Sequence, residues 1–250
     1  MPAIALVIGA SRGIGRSIAV NLGRAGVDVI LTYLGNAAAA EEVVSEIEAA
    51  GRRAAALQLD TGAAGDLPAF VARVDAVLGN WGSGRIDYLV NNAGVGLIRP
   101  FAETSAADLD RMTEVLWKGP YRLTQQLAPR LADGGRILMI TSRTARKTKP
   151  GMSVYGPLKA AVEALVPYLA AELGPRRITV NAVAPGAVAT DFNGGRLRDD
   201  STANARTAAT TALGRVAEAG DIGGAVADLL TGRFHWMTGE RIELSGGQGL

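Results

Sequence analysis

The sequence predicts a doubly wound α/β fold, one domain built on a seven-stranded parallel sheet. Three observations carry that expectation. Short apolar runs alternate with longer segments of helical periodicity along all 250 residues. The runs are near-continuously apolar, as Ile137-Leu138-Met139-Ile140 is, and such strands belong to sheets covered on both faces. Right-handed crossovers between them place a ligand at the carboxyl ends of the strands.

The first strand falls near 3–8, and Gly9-Ala10-Ser11-Arg12-Gly13-Ile14-Gly15 turns it into a helix near 14–25. A strand near 27–33 precedes a helix near 37–50, and a strand near 53–59 precedes a helix near 66–79. The fourth strand, near 86–91, runs into Asn91-Asn92-Ala93-Gly94. A long helical stretch near 105–131 leads to a strand near 135–141. A helix near 153–174 leads to a strand near 177–183, and a helix near 219–231 to the last strand, near 240–244. There is no internal repeat and no linker. The stretch 191–215, from Asp191-Phe192-Asn193-Gly194-Gly195 onward, lacks strong periodicity, and loops of that length in compact domains are usually functional.

Composition narrows the function classes. A chain of this length buries enough core to need no staples. It has no cysteine, which excludes disulfide frameworks and thiolate chemistry and fits a reducing, cytoplasmic setting. The opening Met1-Pro2-Ala3-Ile4 carries no basic stretch, so no secretory leader is expected, and no apolar run has the length of a membrane span. Net charge is +2 with basic residues scattered, which gives no reason to expect nucleic acid. The one histidine, His235, stands far from any ligand-spaced partner; a surface or interface residue is expected there, and no metal.

Tyr155-Gly156-Pro157-Leu158-Lys159, with Ser142 thirteen residues upstream, is the most informative stretch. A phenol titrates near about 10, so it is a poor proton shuttle at neutral pH unless its surroundings change it. A lysine ammonium beside it favours the phenolate, and positions i and i+4 share one helix face. The pattern alone is common by chance, and an exposed helix with an ordinary tyrosine and lysine would look the same. Its neighbours single it out. Gly9 allows a tight turn after the first strand. Gly13 and Gly15 lack side chains, so a pyrophosphate can approach backbone N–H groups at the following helix N-terminus.

Together with Asn91-Asn92-Ala93-Gly94 and Pro185-Gly186-Ala187-Val188-Ala189-Thr190, these motifs make the chain resemble the short-chain dehydrogenase/reductase family from end to end. The similarity is to the main NAD(P)-dependent branch and to carbonyl reductases like the 3-oxoacyl-carrier-protein reductases. The resemblance implies a single-domain Rossmann fold over 1–250, with 191–215 as a substrate lid. It implies Ser142, Tyr155 and Lys159 as the catalytic set: Ser142 holds the carbonyl oxygen, Tyr155 donates the proton, and Lys159 binds the nicotinamide ribose and holds down the Tyr155 pKa. The implied cofactor residues begin with Gly9, Ser11, Arg12, Gly13, Ile14 and Gly15, then Tyr33, then Asp60 and Thr61. They continue with Asn91, Ala93 and Gly94, then Tyr155 and Lys159 again, and end with Pro185, Gly186, Val188 and Thr190. Asp60 matches the contact to adenine and Thr190 the contact to the nicotinamide carboxamide.

The second strand ends Leu31-Thr32-Tyr33-Leu34, without the carboxylate that hydrogen-bonds the ribose 2′-OH in NAD sites. Arg12 offers a guanidinium to a 2′-phosphate. The expected cofactor is therefore NADP, used as NADPH. The expected activity is hydride transfer to the carbonyl of a small-molecule ketone, reversible as alcohol oxidation. One alternative is reduction of 3-oxoacyl thioesters on acyl-carrier protein or CoA, for fatty acid or polyketide synthesis. Arg143, Arg146, Lys147, Lys149 and the pair Arg176-Arg177 would offer an acidic carrier a basic rim, blunted by Asp191, Asp199 and Asp200 of the lid. Another is an NADP-binding protein with weakened catalysis. Leu116 falls at or near the position where the family has a catalytic asparagine. Leucine cannot hydrogen-bond, but the relay water there is held largely by a main-chain carbonyl, so the expectation is a working, slower enzyme. The helices near 105–131 and 153–174 carry surplus apolar positions, Leu165, Val166, Tyr168 and Leu169 among them. In the family these helices form a four-helix contact, which implies a homotetramer.

Overall fold

Ile4–Ile8 is buried on both faces, and its alternating side chains feed two separate cores. Ile4, Leu6 and Ile8 enter one, Ala5 and Val7 the other, as the two-residue period of a strand requires. The computed structural model describes residues 1–63, 65 and 67–250. In chain order its strands are β1 (Ile4–Ile8), β2 (Asp28–Tyr33), β3 (Ala54–Gln58), β4 (Ile86–Asn91), β5 (Leu131–Ile140), β6 (Thr179–Pro185), β7 (Val188–Ala189), β8 (Ala217–Glu218) and β9 (Arg241–Leu244). Its helices are α1 (Gly13–Arg24), α2 (Ala37–Ala49), α3 (Leu67–Asn80), α4 (Ala106–Thr113), α5 (Gly119–Leu127), α6 (Tyr155–Leu173), α7 (Arg196–Asp199), α8 (Ser201–Ala208) and α9 (Ala219–Thr231).

The main sheet has the order β3-β2-β1-β4-β5-β6-β9, with every neighbouring pair parallel. One face is covered by α3, α5 and α6 through Phe70, Leu78, Leu123, Leu127 and Val162. The other is covered by α1, α2 and α9 through Ile18, Leu22, Val43, Ile47 and Val226. Each such fully buried side chain contributes about 1.5–3 kcal/mol. Strand order reverses at β1, which lies between β2 and β4. The crevice at that switch point is where α/β sheets bind ligands.

The strands and helices expected from periodicity are present, and the helix over 219–231 coincides with α9. Asp66, first residue of the helix expected over 66–79, lies outside the described residues. Four features differ. The single helix expected over 105–131 is broken into α4, a π turn over Glu114–Lys118, α5 and a short 3₁₀ turn over Ala128–Arg130. Pro120 has no N–H to give the Leu116 carbonyl four residues earlier, and the helix loosens there, with Gly119 N donating to the Glu114 carbonyl instead. β5 begins at Leu131, not 135, because it pairs with Ile86 before a register shift. The stretch 191–215 holds a 3₁₀ turn over Phe192–Gly195 and helices α7 and α8, and its two stems are clipped by parallel pairing of β7 with β8. Finally, Val166 is buried and Leu169 packs on the core, so of the apolar positions singled out on α6 only Leu165 and Tyr168 remain for a partner. No helix among the described residues is long and apolar enough to cross a membrane.

Candidate active site

The turn after β1 is held by close approach. Gly9 has φ +75°, and a Cβ there would lie 2.8 Å from Ala93 Cα. A Cβ on Gly15 would collide with the Gly9 carbonyl and the Asn92 amide. Asn92 Nδ2 donates to the carbonyls of Ile8 (3.2 Å) and Gly9 (2.7 Å), and Gly9 N donates to Thr32 Oγ1 (2.8 Å). The glycine turn and the segment after β4 are therefore one packed unit. Gly13 faces the Thr190 side chain, 3.5 Å from where its Cβ would sit, so the segment after β6 closes on the same turn. Arg12 occupies the N-cap of α1 in extended conformation with no side-chain cap, and no acidic residue stands in the first turn. The helix thus presents backbone N–H groups and the positive end of its dipole. Ser11 and Ile14 lie in the same turn, and Tyr33 is half-buried at the end of β2.

Asp60 spends one carboxylate oxygen on Gly62 N (2.8 Å), closing its own turn. Thr61 packs by its carbonyl against Gly119 at the start of α5. Asn91 is buried, with Nδ2 donating to Thr124 Oγ1 at 3.0 Å. A Cβ on Gly94 would lie 3.3 Å from Leu116 Cδ2 and 3.8 Å from Lys159 Nζ, which puts leucine, lysine and the segment after β4 in one place. Past Pro185, Gly186 packs on Ser245, and Val188 sits in β7.

Ser142 follows β5, and Tyr155 and Lys159 stand one turn apart at the start of α6. Tyr155 is 7% exposed and Lys159 5%. Nζ lies 5.8 Å from the Tyr155 ring centroid and donates to the Ile140 carbonyl at 2.7 Å. Burial pushes the Tyr155 phenol up to about 12, with the Ser142 hydroxyl pulling the other way. Burial also pushes Lys159 down to about 8. The expectation that lysine would hold down the tyrosine pKa is thus corrected. Burial sets both directions, because each charged form loses its water.

Several site features escaped sequence reasoning. Phe192, in the stretch 191–215, meets the Tyr155 ring, centroids 5.9 Å apart and rings tilted at 53°. A Cβ on Gly96 would collide with Asn193 Oδ1 and lie 2.9 Å from Phe192 Cζ, so the turn over Phe192–Gly195 is seated on the segment after β4. Thr144 shares a 2.8 Å hydrogen bond with Ser142 Oγ. Glu163, one turn beyond Lys159, accepts from Thr141 Oγ1 (3.0 Å), Arg146 (3.1 Å) and Arg241 (2.7 Å). No periodicity or motif announces these contacts.

The charges at the mouth are also arranged differently from expectation. Arg143 donates to the Gln248 carbonyl at 2.7 Å, and Arg146 is paired to Glu163. Arg176 is not at the mouth: it precedes β6 and binds Asp133 and the Ala128 carbonyl beside the start of β5, at the amino end of the sheet, so the Arg176-Arg177 pair expected in the basic rim lies at the opposite end from Ser142. Of the acids in the stretch 191–215, Asp191 and Asp199 are both taken by Arg198, and Asp200 caps α8. They therefore do little to oppose the basic rim.

Known proteins resemble the chain along almost its whole length. A family model described as enoyl-(acyl carrier protein) reductase matches residues 9–248. A short-chain dehydrogenase/reductase from Pestalotiopsis microspora, GME11373, is 35% identical over 98% of this chain and 94% of its own. The structure of LugOII, a promiscuous reductase catalysing keto-reduction at C1 during lugdunomycin biosynthesis, superposes with TM-score 0.94 at 38% identity, covering 99% of this chain and 98% of that one. The angucycline C-6 ketoreductase LanV with bound NADP gives TM-score 0.93 at 37% identity, covering 98% and 95%.

Proposed function

The chain belongs to the short-chain dehydrogenase/reductase family, and from that premise we propose that it is an NADPH-dependent reductase of a ketone carried on a flat, apolar ring skeleton. The observation that carries this reading is the convergence of Ser142, Tyr155 and Lys159 beneath an apolar wall. Met112, Leu116, Met152 and Val154 cluster with Tyr155, Val95 and Leu97 pack on them, and Phe192 covers the ring. Such apolar surroundings favour an apolar substrate over a charged one. LugOII and LanV, both described as acting on ketones, support it.

The residues present suit an NADP molecule. The glycine turn is a cradle that a Cβ would fill, and the first turn of α1 offers N–H groups to a pyrophosphate. Arg12 would meet a 2′-phosphate, and Tyr33 brings no carboxylate to repel it. Asp60, Thr61, Asn91, Ala93, Gly94, Pro185, Gly186, Val188 and Thr190 would line the rest of the cofactor groove. Reduced nicotinamide, when bound, supplies the hydride. The chain does the remainder. Ser142 Oγ holds the carbonyl oxygen, Tyr155 gives it a proton, and Lys159 holds the ribose and places positive charge beside the phenol. Residues 191–215 act as the lid of this one domain, and the lid excludes water by seating Phe192. We read the protein as a cytoplasmic homotetramer joined through α4, α5 and α6, with Leu165 and Tyr168 at the contact.

NADPH oxidation tests the reading against flat ring ketones, β-ketoesters and carrier-bound 3-oxoacyl thioesters. Turnover should be highest with the ring ketones and nearly independent of salt. Faster turnover of the carrier-bound chain, falling steeply with added salt, would move the assignment to the acyl-carrier branch. Two of the four basic residues between Ser142 and Tyr155 are already engaged within the chain, leaving Lys147 and Lys149 exposed at that mouth.

A further inference from the structure

The turn after β5 and the turn after β6 leave neighbouring strands, and a residue beyond β9 holds both. Ser142 caps the 3₁₀ turn Arg143–Ala145 and accepts from Thr144 N at 3.2 Å, so serine and turn form one unit. Arg143 is half-buried, and its Nε donates to the Gln248 carbonyl at 2.7 Å. A Cβ on Gly249, which holds φ +70°, would collide with Arg143 Nη2, so the guanidinium packs directly on that backbone. On its other side Gln248 Oε1 accepts from Ala187 N at 3.1 Å, inside the segment 185–190 that follows β6. Gln248 is itself fixed: its N donates to the Ser245 carbonyl at 3.1 Å, and Gly249 N donates to the Thr210 carbonyl at 2.7 Å. The β5–β6 register ends at Ile140 and Val183, with Thr141 N donating once more to the Val183 carbonyl at 2.7 Å. Past that bond, Gln248 accepts from both turns.

We propose that Gln248 is a positioning residue: with Arg143 it clamps the serine turn to the segment 185–190 and so sets the spacing across which hydride passes. The proposal rests on the reading of Ser142 as holder of the carbonyl oxygen and of 185–190 as part of the cofactor groove. Reacting atoms must approach to about 3–3.5 Å, and a misplacement of about 1 Å can cost about 100-fold in rate. A carbonyl held from β5 and a cofactor held from β6 keep that approach only if the two turns keep their distance. The side chain contributes one acceptor and the backbone another, so a single residue spans the gap.

Gln248→Met keeps the length and removes the side-chain acceptor, Gln248→Glu keeps the acceptor, and Arg143→Met removes the guanidinium. The first readout needs neither cofactor nor substrate. Amide hydrogen exchange of the peptide spanning 185–190 should speed up about tenfold in Gln248→Met and stay at the wild-type rate in Gln248→Glu. It should also speed up about threefold in Arg143→Met, although that guanidinium bonds Gln248 and not Ala187. In turnover of a ring ketone, each Met variant should lose about tenfold in kcat, with Kd for NADPH within about threefold. The kinetic isotope effect from NADPH deuterated at the transferred hydrogen should rise, and the double Met variant should be little slower than either single one. Gln248→Glu should restore the rate. If Gln248→Met does not fold, Gln248→Ala carries the same expectations. Unchanged exchange at 185–190 in Arg143→Met, a Met variant within about twofold of wild-type kcat, or a Glu variant as slow as Met overturns the clamp. Wild type that reduces no ketone while the exchange pattern holds overturns the proposed function instead, and the kinetic comparison is then made on the carrier-bound thioester.

Discussion

Replacing Tyr155 with phenylalanine removes one oxygen and leaves the ring against Met152, Val154 and Phe192. The fold should therefore be untouched, and Ser142 keeps its bond to Thr144. The lost group is an acid that burial holds at about 12, fully protonated at neutral pH and so able to donate. General acid catalysis supplies ~10²–10⁴ in rate, which corresponds to about 3–5 kcal/mol of barrier. Turnover of a ring ketone should fall by that factor, with NADPH Kd, measured by fluorescence titration, unchanged. The pH profile adds a second reading. Lys159, lowered to about 8, loses its charge as pH rises through that value. Ketone reduction by wild type should decline above about pH 8 while the phenol still holds its proton. A phenylalanine variant that keeps more than about a tenth of wild-type turnover refutes the assignment.

Three further outcomes are expected. Tyr33→Asp should weaken NADPH far more than NADH, and Arg12→Ala should act in the same direction by about 1–3 kcal/mol; equal use of both cofactors by wild type would sink the preference. Asp28 is fully buried and accepts from Arg52 Nε (2.9 Å) and Arg53 Nε (2.8 Å), so Asp28→Asn should cost about 3–5 kcal/mol and lower Tm by roughly 6–20 °C. Burial works to raise its carboxyl, but hydrogen bonds from Arg53 and Arg52 hold it below 3.8; that stabilisation is present above 3.8 and is lost as pH falls through the lower folded value. An Asn variant melting within about 2 °C of wild type contradicts the account. Light scattering should show a homotetramer, dispersed by charge at Tyr168, and a monomer at micromolar concentration argues against the α6 contact.

Sheet, layers and turn were legible in the sequence because each has a local cause. Apolar runs such as Ile4–Ile8 can satisfy both faces only inside a parallel sheet, and Gly9 and Gly15 are needed where two backbones touch. Other features had no local signal. The π turn at Glu114–Lys118 arises from one missing N–H at Pro120, inside a pattern that otherwise reads as continuous helix. The strands β7 and β8 are two residues each, too short for any periodicity, yet they clip both stems of the stretch 191–215.

By itself the sequence determined the fold class and the family, since these depend on residue type and spacing. Only the tertiary structure decided how the groups at the site behave. Desolvation is a property of everything packed around a side chain, so no spacing rule could show that burial raises the Tyr155 phenol and lowers the Lys159 ammonium. Nor could it show Arg198 neutralising Asp191 and Asp199, Phe192 meeting Tyr155, or the hydroxyls of Ser142 and Thr144 meeting. Those contacts depend on side-chain placement, and side-chain placement is fixed only when the whole core has closed.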